Sequence, residues 1–330
     1  MKAILSAALL LSSSAEAARV TVAPQYAANL QRTDAQAASS AASFLARAQS
    51  DLAAQRGGPV LRASWAFEQK SPLAAPNAAG IVARALVTAH QRFQHDASLA
   101  AARAWGLARL EDLAADRPMF DPDVEALVAL ADATGDARFR KAATAAFELR
   151  HGGADGREVV ERLFLVRGDS ASLVGFDAAA AVRAALAVGQ AGKAREIVQA
   201  LADTRERWDR ATPHGFHHTS RAAVLEVALR TGHDRLASAL AARLLATQER
   251  DGSWGARNTQ ATAYAARALG RVNVDGAREA SARAARFLRL TQLTSGGWAT
   301  YNDFLPEPFV GDTVYEVSAE ALLAIAELRG

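Results

Sequence analysis

Twelve stretches of the chain have helical periodicity, and they alternate between two kinds. Ala79–Ala89, Asp123–Thr134, Asp177–Gly189, Thr219–Thr231, Thr259–Leu269 and Thr313–Leu328 are built from small and apolar residues with few charges. The stretch "DAAAAVRAALAVG" is apolar almost all round, the pattern of a helix buried on most sides. Asp34–Gln55, Ala97–Ala114, Ala137–Leu149, Lys193–Trp208, Asp234–Gln248 and Gly276–Thr291 instead carry an apolar stripe and a charged face, as in "REIVQALADTRERW". The first set reads as an inner wall and the second as an outer wall.

Glycines punctuate the pattern at Gly135, Gly189, Gly232 and Gly270, spaced by 54, 43 and 38 residues. A glycine just past a helix end is the expected left-handed cap, so each spacing holds one helical hairpin. Pairing every outer helix with the following inner one gives six hairpins. The expectation is an all-α fold, an (α/α)6 toroid whose first and last hairpins touch; the open alternative is a solenoid. Residues 18–330 then form a single domain.

Two hairpin ends share a stricter motif. "QERDGSW" and "QLTSGGW" place Gln248, Gly252 and Trp254 each 44 residues before Gln292, Gly296 and Trp298. A weaker relative, "AQRGGPVLRASW", precedes Trp65. The glycines permit a tight turn and the indole can fold back over it. These motifs resemble the QW repeats of the squalene–hopene cyclase and protein prenyltransferase toroid superfamily, and similar hairpin ends occur in α/α-toroid polysaccharide lyases. The resemblance implies the toroid. It does not bring the chemistry: the cyclases use an Asp-x-Asp-Asp acid where this chain has only "DPDV" at Asp121–Val124, and the prenyltransferases bind zinc partly through cysteine.

Composition narrows the options further. The chain has no cysteine, which excludes disulfides and thiolate chemistry together. A net charge of +3, with only Lys2, Lys70, Lys141 and Lys193 as lysines and no basic block, argues against a nucleic-acid partner. Lys2, the apolar run Ala3–Leu11 and Ala15-Glu16-Ala17 have the layout of a secretory signal over residues 1–17. Export to the periplasm or medium is therefore expected, with no integral membrane segment, no cofactor and a monomeric state.

In such a ring the N-termini of the inner helices converge on one mouth, where their dipoles favour negative charge. Polar clusters stand at each of these ends: Asn77; Asp121 and Asp123; Asp177; His214, His217, His218 and Arg221; Asn258 and Gln260; Asp312, Tyr315 and Glu316. His217, His218, Asp177, Glu316 and Asp123 are the candidate catalytic residues, since histidine and paired carboxylates are the usual proton carriers. Asn258, Gln260, Tyr301, Asp312 and Trp65 are candidates for contacting substrate, Trp65 as a stacking platform. Helix capping is the competing role for Asp121, Asp123, Asp177, Asn258 and Asp312. No metal is expected. The functional expectation is an exported toroid that binds a polysaccharide or other polymer at the mouth, with cleavage there left open, an acidic glycan suiting a mouth of charged histidines. The alternatives are an isoprenoid-binding, cyclase-like protein and a non-catalytic scaffold.

Overall fold

Six helices face a common axis, and six more surround them. The computed structural model describes residues 24–52, 60–70, 75–212, 215–300 and 313–328. The inner helices are α2 (Pro76–Phe93), α4 (Asp121–Thr134), α7 (Val174–Ala187), α10 (Phe216–Thr231), α12 (Thr259–Leu269) and α14 (Tyr315–Glu327). Each packs on the next, and α14 packs back on α2, so the ring is closed. The outer helices are α1 (Asp34–Arg47), α3 (Asp96–Ala114), α5 (Ala137–His151), α8 (Ala191–Asp203), α11 (Asp234–Ala246) and α13 (Ala277–Leu290). The all-α toroid read from the periodicity is therefore the observed fold.

The structure adds three elements. Asp34–Gln55 is not one helix: α1 stops at Arg47, and a two-stranded antiparallel hairpin follows, β1 (Ser50–Leu52) with β2 (Leu61–Ser64). Lys193–Trp208 breaks at Thr204 into α8 and the short α9 (Arg205–Trp208). An extra helix, α6 (Gly156–Arg167), lies between α5 and α7, begun by an Asp155–Glu158 capping box. By composition, Gly156–Ala187 is long and apolar enough to cross a membrane. It is interrupted by a 3-10 link at Gly168–Leu173 with Ser170 outside helical geometry, and its second half, α7, is walled in by α4 and α10.

The helix stops follow the sequence with one exception. Gly135 and Gly232 are left-handed caps, and Gly189 has φ +82° just past α7. Gly270 instead has φ −61°, and it is small for a packing reason: an added Cβ would come within 2.6 Å of Leu328.

The Gln-Gly-Trp motif proves to be a clasp between neighbouring hairpins. Gln248 Nε2 donates to Gly252 O (3.0 Å) in its own turn and to Ala280 O (2.8 Å) on the next outer helix, α13. Gln292 Nε2 does the same with Gly296 O (2.7 Å) and with Ala37 O (2.9 Å) on α1. The second clasp thus joins the last hairpin to the first and seals the ring. Asn29 adds bonds to the carbonyls of Leu290 and Gln292, and Arg289 pairs with Asp34 at 3.0 Å. Gly252 and Gly296 have φ +95° and +100°, and a Cβ on either would strike a carbonyl of that next helix. Trp254 and Trp298 are fully buried, their Nε1 donating to Leu244 O and Leu288 O.

A third clasp exists, but Gln49 forms it: its Nε2 donates to Ala63 O (2.9 Å) and to Ala101 O (2.7 Å) on α3, ahead of buried Trp65. Gln55 lies outside the described residues. Ala63 holds φ +48° at the place of the two glycines, a conformation that costs an alanine on the order of 1 kcal/mol. Ala63→Gly is expected to leave thermal stability equal or higher, as a melting curve would read. Gln292→Ala should lower unfolding free energy by about 1–3 kcal/mol, because buried carbonyls on two hairpins lose their donor. Denaturant titration tests this, and an unchanged midpoint would contradict the clasp.

Inside the ring, one charged side chain from each inner helix meets its neighbours around the axis, with alternating sign. Arg84–Glu125 (3.0 Å), Glu125–Arg183 (3.4 Å), Arg183–Glu226 (3.8 Å), Glu226–Arg267 (3.9 Å), Arg267–Glu327 (3.0 Å) and Glu327–Arg84 (3.5 Å) close a complete circuit. Arg271 joins it at Glu226 (2.9 Å) and Glu327 (2.6 Å). Burial alone would push Glu226 up, but Arg267, Arg183, Arg271 and Arg84 outweigh it and hold the carboxyl far below the usual range. Glu327 is lowered in the same way, by Arg267 and Arg84 against its burial. Both folded pKa values lie below the unfolded one. The circuit's stabilisation is therefore complete above about pH 4.5 and is lost as pH falls below it. Melting temperature should drop steeply from pH 5 to pH 3, and a flat profile there would contradict this.

Candidate functional site

At the end of the ring where the inner helices begin, a cavity of about 250 Å³ opens. Asn77, Arg167, Gln260, Thr300 and Glu316 give it polar groups, and the rings of Phe67, Phe176 and Phe216 line much of the rest. Each is placed by local structure. Phe67 and Glu316 are brought together because residues 67–69 pair with the lead into α14: Tyr315 N donates to Phe67 O (3.1 Å) and Gln69 N to Thr313 O (2.9 Å). Thr300 is fixed by the Thr259 backbone and hydroxyl, which bond Thr300 O (2.9 Å) and Ala299 O (2.7 Å). Phe176 is set by Ser220, whose Oγ accepts from Phe176 N at 3.0 Å. Gly175, against Trp208 and Ser220, leaves no room for a side chain.

Arg167, at the end of α6, reaches over the mouth and grips Asp177 through two nitrogens, Nη2 to Oδ1 at 2.7 Å. Glu316 is only 9% exposed. Burial, then the charge of Asp177, push its carboxyl up to about 7, with Arg167 pulling the other way. A group that ordinarily titrates near 4.5 thus keeps its proton up to neutral pH, as a general acid requires. Gln260 donates to it at 3.4 Å.

Of the residues picked from sequence, Asn77, Gln260 and Glu316 line this cavity, and Asp177 stands beside it as the partner of Arg167. Asp123 does not line it. The N-terminus of α4 sits a turn deeper, its Pro122–Asp123 backbone packed on Gly80 of α2, and Asp123 caps its helix by accepting from Phe120 N at 2.9 Å. Burial pushes its carboxyl up to about 7. Asp121 pairs with His151 at 2.7 Å instead.

His217 and His218 start α10 yet turn from the cavity toward Arg221 and Asp209. His217 Nδ1 accepts from Thr212 N at 3.0 Å. Burial first, then Arg221 for His217 and His217 for His218, push them down to about 4 and about 3. The positive charge expected of them near pH 6 is therefore absent, because the carboxylate of Asp209 does not outweigh their burial and the charge of Arg221.

Asn258 is a fully buried N-cap, accepting from Ala261 N at 2.9 Å. Trp65 cannot be a stacking platform: it is fully buried with Nε1 bonded to Leu45 O at 2.8 Å. Tyr301, Asp312 and His214 lie outside the described residues. Among the described residues no group of three histidine, aspartate or glutamate side chains is arranged to hold a metal.

Arg167, Phe67, Phe176 and Phe216 were not legible as site residues, because α6 breaks the two-helix rhythm and single phenylalanines carry no motif. A larger groove of about 820 Å³ lies on the outer wall between α6 and α8, but its charges are partly spent in surface pairs such as Arg207–Glu161.

No protein-family model matches the chain, and no curated protein matches it in sequence. Solved structures do match. A possible member of the GH105 family from Salmonella enterica superposes with a TM-score of 0.62 at 10% identity, over 97% of this chain and 99% of that one. An inactive variant of the α-1,6-mannanase GH76A of Salegentibacter sp. HEL1_6, in complex with α-1,6-mannotetrose, gives 0.61 at 12% identity, over 90% and 99%. An unsaturated glucuronyl hydrolase specific for heparin gives 0.57 at 12%, over 89% and 95%. The likeness is one of fold. These neighbours are α/α-toroid glycosidases. In this ring charged side chains and Tyr264 fill the axis.

Proposed function

We propose that the protein is an exported glycan-binding toroid that hydrolyses a glycosidic bond at the ring mouth. One observation carries the reading: a buried carboxyl, Glu316, pushed up to about 7, lines an aromatic-sided cavity beside Arg167, which grips a second carboxylate, Asp177, just behind the wall. Two carboxyl groups in different environments are what glycoside hydrolysis asks for. Glu316 gives its proton to the departing glycosidic oxygen, and the Asp177 carboxylate, paired with Arg167 behind the wall, keeps that guanidinium from opposing the positive charge that develops on the sugar carbon. Water completes the cleavage, and its proton returns Glu316 to the acid form. The phenylalanine rings suit the C–H faces of a sugar, and Asn77 and Gln260 its hydroxyls. The glycan-binding solved structures of the same fold support the substrate class.

The histidines bring no charge and Arg167 is already paired, which favours a neutral glycan over an acidic one. The test is release of reducing ends from panels of neutral and uronate-containing oligosaccharides between pH 4 and pH 9. Since Glu316 must be protonated, kcat/KM is expected to fall as pH rises through about 7. Activity that increases above pH 8 would contradict the assignment. The two-nitrogen grip of Arg167 on Asp177 favours a second reading, in which the mouth binds glycan without cleaving it; binding with no product at any pH would select it.

A further inference from the structure

One turn beyond Glu316 on α14, Glu320 is completely enclosed. Gln260 Nε2 donates to its Oε1 at 3.2 Å, the Tyr264 hydroxyl bonds it as well, and its Oε2 has no hydrogen-bond partner among the described residues. The same Gln260 amide reaches Glu316 Oε1 at 3.4 Å and lines the cavity. One side chain therefore ties together two acids on successive turns, one at the cavity wall and one beneath it.

An ionised carboxylate at position 320 would be a buried charge with one oxygen unbonded, which is far costlier than a buried neutral acid. The nearby guanidinium of Arg267 is already engaged by Glu327 at 3.0 Å and by Glu226 at 3.9 Å. Tyr264, packed between Arg183 and Arg267, keeps its own proton because burial pushes its phenol well above the usual value, so it donates.

We propose that Glu320 is a positioning residue of the mouth: a permanently neutral carboxylic acid that anchors Gln260 and, through Gln260, fixes the Glu316 carboxyl at the cavity wall. This rests on the reading of Glu316 as the acid of the site. The charged and titratable groups around the pair are Asp177 from α7, Arg167 from the end of α6, and Tyr264 and Arg267 from α12, with Arg183 of α7 over the Tyr264 ring and Arg84 of α2 further along α14 at Glu327. From α1 the Phe44 ring stacks on Tyr315, and Asp34 of α1 with Arg278, Arg286 and Arg289 of α13 lie by the far end of α14, near Ile325 and Leu328. Burial and then the charge of Glu316 push Glu320 well above the usual carboxylate range.

Carbon-13 NMR of the whole chain labelled at glutamate carboxyls reads this without any glycan, the Glu316 signal being the one lost in Glu316→Gln. In Glu320→Gln, which keeps a neutral hydrogen-bonding group, the Glu316 midpoint should remain at its wild-type value near 7. In Glu320→Ala, and equally in Gln260→Ala should the first variant fail to fold, water reaches the loosened carboxyl and the midpoint should fall by about one pH unit or more. A fall of that size in Glu320→Gln would show that Glu320 is charged in the native protein and would overturn the proposal. So would a wild-type midpoint in the folded alanine variants. A wild-type midpoint far below 7 would instead remove the reading of Glu316 as the acid, and absence of hydrolysis leaves this titration unaffected.

Discussion

Glu226→Ala is expected to destabilise the ring by about 3–5 kcal/mol, because it leaves buried Arg183 and Arg267 facing each other across the axis with their shared partner gone. Arg271 and Arg230, which also lean on Glu226, lose it too. Replacing Arg183 and Glu226 together by methionine should recover a large part of the loss, since an apolar pair carries no desolvation cost. Urea unfolding of Arg183→Met, Glu226→Met and the double variant separates the contributions. If Glu226→Ala unfolds at the wild-type midpoint, the charged circuit is not what holds the inner wall in register. The circuit also bears on function. It fills the axis beneath Tyr264, so the mouth cavity has a solid floor, and Phe176 at the cavity wall rests edge-on against Tyr264 at 5.5 Å.

Glu316→Gln is the second large effect. Removing a general acid costs on the order of 10²–10⁴ in rate. Because the amide is nearly the same size and still accepts from Gln260, kcat should carry the loss and KM should hardly move. Melting temperature should stay equal or rise. The folded carboxyl titrates near 7 against about 4.5 unfolded, so it opposes folding once pH exceeds the unfolded value. A variant with full activity would remove Glu316 from the chemistry.

The two helix types and the Gln-Gly-Trp turns were enough to reach the closed ring, because both follow local rules: periodicity, caps and tight turns. What escaped was whatever depends on axial register between helices. The charged circuit is visible in hindsight as a charge within each inner helix whose sign alternates along the chain: Arg84, Glu125, Arg183, Glu226, Arg267, Glu327. Only a closed ring makes the first and last of these neighbours. Asp123 was misplaced for the same reason, since nothing local says that α4 begins a turn deeper than α2. His217 and His218 were misread because their protonation is set by Arg221 and by burial, which adjacent sequence does not display. Gln49 was passed over for Gln55 because a β-hairpin insertion stretches the spacing to Trp65.

The most direct test of a glycan site at the mouth is a crystal structure of Glu316→Gln soaked with an oligosaccharide that the wild-type protein binds or cleaves. The sugar is expected in the cavity, against Phe176, with Gln260, Arg167 and position 316 within hydrogen-bond reach and the scissile oxygen beside position 316. Sugar bound only in the outer groove between α6 and α8, with the mouth empty, would contradict the account.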